Sequence, residues 1–100
     1  MIKSNNQIRL LDVSDISVIS ALGDFCIATD IDGKTHPISK SLKSIYQELN
    51  PQHFFRINRS EIIQLSAIVE ISHYSKNRLV ITMRGFKKKV HLRQHNFVNG

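Results

Sequence analysis

The sequence predicts a mainly β domain with one short helix near residues 40–50. Three observations carry this. The apolar runs are short, β-branched and broken by turn residues, as in strand-rich domains. Asp32-Gly33 is a strong hairpin dipeptide. Only one segment repeats its apolar residues at helical spacing.

The elements follow in order. Residues 8–13 read as a first strand and residues 16–22 as a second, with Ile16, Val18 and Ser20 alternating against Ser17, Ile19 and Ala21. Gly23-Asp24 turns the chain into a third strand over residues 25–31. Residues 34–38 return as a fourth, and Pro37, lacking a ladder donor, assigns it to a sheet edge. Leu42, Ile45, Tyr46 and Leu49 then fall at i, i+3, i+4 and i+7, a single helical stripe. Ser39 or Ser41 caps its start by accepting from an orphan N–H. Asn50-Pro51 ends it, because proline disfavours helical geometry in the preceding residue. Strands are expected over residues 54–57, 62–65 and 67–72, followed by a polar loop over 73–77. A strand over 78–83, a turn at Arg84-Gly85 and a strand over 86–92 complete the chain. With no repeat, linker or low-complexity tract, the 100 residues are expected to form one domain.

Charge is distributed unevenly. The net formal charge is +6. Residues 1–50 hold five basic and six acidic side chains, whereas residues 51–100 hold nine basic ones against Glu61 and Glu70 alone. A strongly basic half fits a polyanionic partner, or else a solvated cationic surface. Cys26 is the only cysteine, which fits a reducing compartment and a small packed strand residue. The N-terminus has no apolar core behind its charge and no run approaches a membrane span, so a cytoplasmic protein without membrane association is expected.

Catalytic chemistry finds no support. Five histidines (His36, His53, His73, His91 and His95) are scattered over different elements, and neither a CxxC nor an HExxH spacing occurs. No nucleophile elbow accompanies Ser60. Asp12, Asp15, Asp30 and Asp32 sit at strand ends and turns, where aspartate is ordinarily structural. Four scattered glycines make no phosphate loop. The expectation is a binding domain with no catalytic residue, metal or cofactor.

Residues 54–71, FFRINRSEIIQLSAIVEI, place Arg56 and Arg59 around Asn58, with Ser60 next, between two apolar runs. Such a segment reads as two strands around a polar bend carrying a guanidinium. Arg59 there would meet a phosphate, or bond guanine O6 and N7 in parallel, or pair with Glu61 or Glu48. This segment resembles the signature of the LytTR DNA-binding domain, F-x-R-x-[HN]-R-S-x-[IVL]-[IV]-N-x-x-x-I. DVSDISVISALGDFCIA (12–28) is similar to the family's opening strand pair. HPISKSLKSIYQELN (36–50) resembles its strand and small helix, and KKKVHLRQHNF (87–97) its closing strand and basic loop. The resemblance spans residues 8–98.

It implies short antiparallel sheets stacked as an elongated β sandwich, with loop side chains entering successive major grooves of double-stranded DNA. Three contact loops carry over: Gly23-Asp24 with Asp24, Asn58-Arg59-Ser60 led by Arg59, and Leu92-Arg93-Gln94 with Arg93. At Asp24 a carboxylate would accept from cytosine N4 or serve only the turn. Lys40, Ser41 and Lys43 resemble phosphate-contacting positions at the helix start. Lys89 belongs to the cationic run before Arg93, where alternation would give Lys87 and Lys89 one face and Lys88 and Val90 the other. The chain departs from the family at Gln64, usually Asn, and at His36, usually Arg or Lys, where a weak phosphate contact is still expected.

The resemblance further implies a bacterial response regulator of a two-component system, with paired half-sites and self-association on DNA. Family members commonly follow a phosphorylatable receiver domain, for which 100 residues leave no room; an excised output domain and a stand-alone regulator both fit. Two rivals belong to other classes. An RNA-binding β module would expose stacking aromatics, whereas Phe54, Phe55 and Phe86 lie beside expected core strands. A module for acidic proteins or anionic membranes would want a more basic amphipathic helix than this one.

Overall fold

A computed structural model describes residues 12–93, together with the backbone of two short strands, β1 (Ile2–Ser4) and β2 (Gln7–Arg9), which pair as an antiparallel ribbon. A single 3-10 turn, Val13–Asp15, precedes the main sheet. Asp12 caps it by accepting from the Ser14 N–H and hydroxyl, and these bonds hold its carboxyl below the usual range.

Five strands form the main sheet: β3 (Ile16–Leu22), β4 (Phe25–Asp30), β5 (Thr35–Ile38), β6 (Phe54–Asn58) and β7 (Glu61–Gln64). All neighbours run antiparallel in the order β5-β4-β3-β7-β6, and Pro37 lies on an edge strand as expected. Strands β8 (Ile68–Ser75), β9 (Arg78–Met83) and β10 (Val90–Arg93) form a second antiparallel sheet, ordered β10-β9-β8.

The main sheet is covered on both faces. On one, helix α1 (Leu42–Glu48) packs Leu42 and Ile45 against Ile16, Ile19, Cys26, Ala28, Phe54 and Ile62. On the other, Val18, Ile57 and Ile63 meet Ile81, Met83 and Val90 of the second sheet. A bulge between Ile16 and Val18 shifts the phase of β3, so Ile16 and Ile19 serve the helix side and Val18 the sheet side. The strict alternation expected for this strand is therefore broken. The Phe54 ring is buried in the first core, and Phe55 and Phe86 pack half-buried against the second.

Helix α1 starts as its sequence dictates. The Ser41 hydroxyl accepts from the Ser44 N–H at 3.1 Å, and Lys40 reaches Glu48 at 2.9 Å. Among the described histidines, His36 is the one held by an acid. Its Nε2 lies 2.9 Å from Asp30 Oδ2, while Asp30 Oδ1 accepts from the Asp32 and Lys34 N–H groups. The His36 bond, with help from those amides, holds the Asp30 carboxyl below its ordinary value against the opposing effect of burial. A carboxyl depressed in the folded state stabilises above its unfolded pKa of about 4 and loses that contribution as pH falls through the folded value. Wild-type melting temperature should therefore fall on acidification below about pH 4. Asp30→Asn should lower it at pH 7 and flatten the acid limb; parallel wild-type and variant profiles would exclude this role.

Three expected elements differ. Residues 73–77 are not a loop: β8 runs to Ser75 and a two-residue turn, Lys76-Asn77, leads straight into β9. Polar side chains there mark an exposed sheet edge rather than an absence of ladder. The strand expected over 86–92 begins only at Val90. Gly85, at φ +75°, turns the chain, Phe86 drops into the second core, and residues 86–89 cross over outside the ladder. The face assignment of the three lysines, which assumed a continuous strand, is lost with it. Lys89 Nζ donates to Thr82 Oγ1 at 2.8 Å. The first expected strand, 8–13, is also divided: β2 ends at Arg9, Val13 opens the 3-10 turn, and Leu10 and Leu11 lie outside the described residues.

Candidate nucleic-acid interface

Register gathers two of the three expected contact loops and the helix start at one end of the main sheet. Of the third, Leu92 and Arg93 end β10 in the second sheet and Gln94 lies outside the described residues. The Leu22–Phe25 pair closes the Gly23-Asp24 turn, which leaves Asp24 exposed. One pair along, Cys26 faces Ile38, so β5 ends beside that turn and delivers Lys40, Ser41 and Lys43 at the helix start. Ser20 faces Glu61, and the Ala21 N–H donates to the Ser60 carbonyl at 2.8 Å. The β6–β7 bend bearing Arg59 thus lies next to the end of β3.

That bend is internally braced. Asn58 Oδ1 accepts from the Ser60 N–H at 2.8 Å, while its Nδ2 donates to Glu61 Oε1 at 2.9 Å and to the His91 carbonyl at 3.0 Å. The last bond crosses between the two sheets and fixes the bend beside β10, two residues from Arg93. Arg56 contributes from the other side, its Nη2 donating to the Arg59 carbonyl at 3.0 Å.

Free charge remains at the rim. Two carboxylates were candidates to neutralise Arg59. Glu61 is taken by Asn58 and Glu48 by Lys40, and Arg59 is exposed with no acidic partner among the described residues. Arg93 is likewise exposed and outside any ion pair among them, as is Lys43. The Lys40–Glu48 pair is itself exposed, so little free energy holds Lys40 back.

The nine residues expected to contact DNA therefore divide. Among the described residues Asp24, Lys43, Arg59 and Arg93 have no side-chain partner, and the exposed Ser60 is tied only through its backbone. Lys40, Ser41, Asn58 and Lys89 already have intramolecular partners, as does His36, where a phosphate contact was expected. Arg56, noted beside Arg59 in the sequence, was not among the expected contacts, although its R-x-x-R spacing around a bend was a usable signal. Lys76 and Arg78 were missed because they sat in, or next to, an expected loop. No group of three or more metal-ligating side chains exists among the described residues. Cys26 is buried, which pushes its thiol above the ordinary range and away from reactivity. No described helix is long and apolar enough to cross a membrane.

A basic, two-sheet domain whose arginine-tipped bend at the end of the main sheet is bonded to the strand of a second exposed arginine is of the DNA-binding class. A family model described as the LytTr DNA-binding domain matches residues 6–97, and the chain belongs to that family. Its fold is similar to a solved structure described as the LytTr DNA-binding domain of a methyl-accepting/DNA response regulator from Bacillus cereus. The two share 18% identity with a TM-score of 0.79, over 97% of this chain and 87% of the other. No curated protein matches at a significant level.

Proposed function

We propose that this chain is the output domain of a bacterial transcription regulator that reads duplex DNA by inserting basic loops into successive major grooves. In this reading Arg59 and Arg93 are the base readers, Asp24 a third contact, and Lys40, Lys43, Ser60 and Lys89 bind the backbone. Ser41 acts by capping the helix at that end, and Asn58 acts by positioning. Two copies would occupy paired half-sites, and a receiver domain in the same regulator would supply the signal.

The observation that carries it is the uncompensated Arg59 guanidinium on a bend that Asn58 bonds to β10, the strand of Arg93. A forked donor held on a braced bend is suited to guanine, and an unpaired one loses no ion pair on docking. A single-strand RNA mode is less favoured, since Phe54 is buried and Phe55 and Phe86 are half-buried against the second core.

Selection of bound duplexes from a random pool, at fixed salt, should yield one short motif. Against that motif, Arg93→Ala should cost about 1–3 kcal/mol and relax preference at one base position. Lys89→Ala should weaken all duplexes alike. Anisotropy titrations on matched and mismatched duplexes separate the two, and a uniform loss for both variants would remove Arg93 from base reading.

A further inference from the structure

The second sheet carries a cationic cluster in which groove reading uses Arg93 and leaves Lys76 and Arg78 unassigned. Arg78 and Arg93 are direct partners in the β9–β10 ladder, so both side chains leave the same face. Like charges in that relation repel. Lys76 in the adjoining turn adds a third cation. Residues 68–100 hold one acid, Glu70, which faces Thr82, four residues along β9 from Arg78. At about 3.3 Å per residue that is about 13 Å away, too far to neutralise the pair. The Arg78 guanidinium carbon lies 5.9 Å from the Tyr74 ring centroid, an orienting contact that supplies no counter-charge.

These groups do not merely share a surface. Ser75, Lys76, Asn77, Arg78 and Arg93 line a cleft of about 250 Å3. Two guanidinium forks, an ammonium, a hydroxyl and an amide are the donors that suit a tetrahedral oxyanion. We infer that this cleft is a phosphate site whose ligand relieves the Arg78–Arg93 repulsion. The phosphate is either a backbone group of the bound duplex, in which case the inference rests on the DNA reading, or a free phosphate group.

Amide NMR titration with inorganic phosphate, against chloride at matched ionic strength, tests occupancy. Residues 75–78 and 93 should shift saturably in wild type, and the shifts should vanish in Arg78→Gln. Salt dependence of duplex affinity tests the source. For a backbone phosphate, Arg78→Gln should weaken every duplex alike and reduce the slope of log K against log salt by roughly 0.9, with base preference unchanged. Saturation with an unchanged slope assigns the site to free phosphate, and a reduced slope without saturation assigns it to DNA alone. Neither effect overturns the site. Arg78→Gln removes a like-charge pair and should melt no lower than wild type; if it does, Lys76→Ala on the exposed turn replaces it in both measurements. Should wild type bind no duplex while phosphate still saturates the cleft, the DNA reading fails and the site stands. If Arg59→Ala abolishes duplex binding while Arg78→Gln changes nothing, the site fails and the DNA reading stands.

Discussion

Gly85→Ala is expected to destabilise the domain by about 2–5 kcal/mol, combining the cost of left-handed backbone with that of forced overpacking. Gly85 sits at φ +75° in the crossing from β9 to β10. A Cβ there would lie 2.5 Å from the Asp30 carbonyl oxygen and 2.7 Å from that of Ile31. Both obstacles are backbone atoms and cannot swing aside. They belong to the β4–β5 turn, braced where the Ile31 N–H donates to the Asp15 carbonyl. The clash would therefore push the two sheets apart beside the core shared by Val18, Ile81 and Val90. Gly23→Ala is the control: its φ is +63° but nothing lies within 4 Å. It should cost only about 1–2 kcal/mol. Urea unfolding of both variants measures the difference, and equal losses would show that close approach contributes nothing.

Much of this architecture is legible in the sequence, where local rules decide the outcome. Residues 16–22 form the expected strand, because a β-branched run ending at Gly23-Asp24 has few alternatives. The helix is equally plain: Ser41 caps it and its stripe meets the first core. Errors arise where the deciding contact is remote. Residues 73–77 looked like a loop because they are polar, yet an edge strand needs only one paired side, and β9 supplies it. Residues 86–89 looked like a strand because Phe86 is apolar, but that ring packs half-buried against the second core and the segment stays outside the ladder until Val90.

The same division runs through the candidate interface. Arg59 is legible, since arginines around a polar bend mark an exposed tip. What leaves it free is not, because that depends on Asn58 taking Glu61 and Lys40 taking Glu48. Arg78 opposite Arg93 is a consequence of β9–β10 register, which no single-segment pattern specifies.

Asn58 yields the second large effect. Its amide bonds partners on two sheets, one of them 33 residues away, and Oδ1 also closes the bend through the Ser60 N–H. Asn58→Ala removes all three bonds and should cost about 1–3 kcal/mol of stability, at about 0.5–1.5 kcal/mol net for each bond and least for the two that are exposed. Its effect on DNA affinity should exceed that expected of a residue touching no base. Arg59 lies one residue away and loses its fixed relation to Arg93, so up to one arginine contact, about 1–3 kcal/mol, is lost with it. A double-mutant cycle distinguishes positioning from contact. If Asn58 acts by aligning Arg59, then Arg59→Ala should cost much less affinity in the Asn58→Ala background than in wild type. Asn58→Asp, which keeps the Ser60 acceptor but loses the donors to Glu61 and the His91 carbonyl, should not rescue. Additive losses, with Asn58→Ala folded by circular dichroism, would mean that Asn58 contacts DNA on its own account and that the bond between the sheets orients nothing.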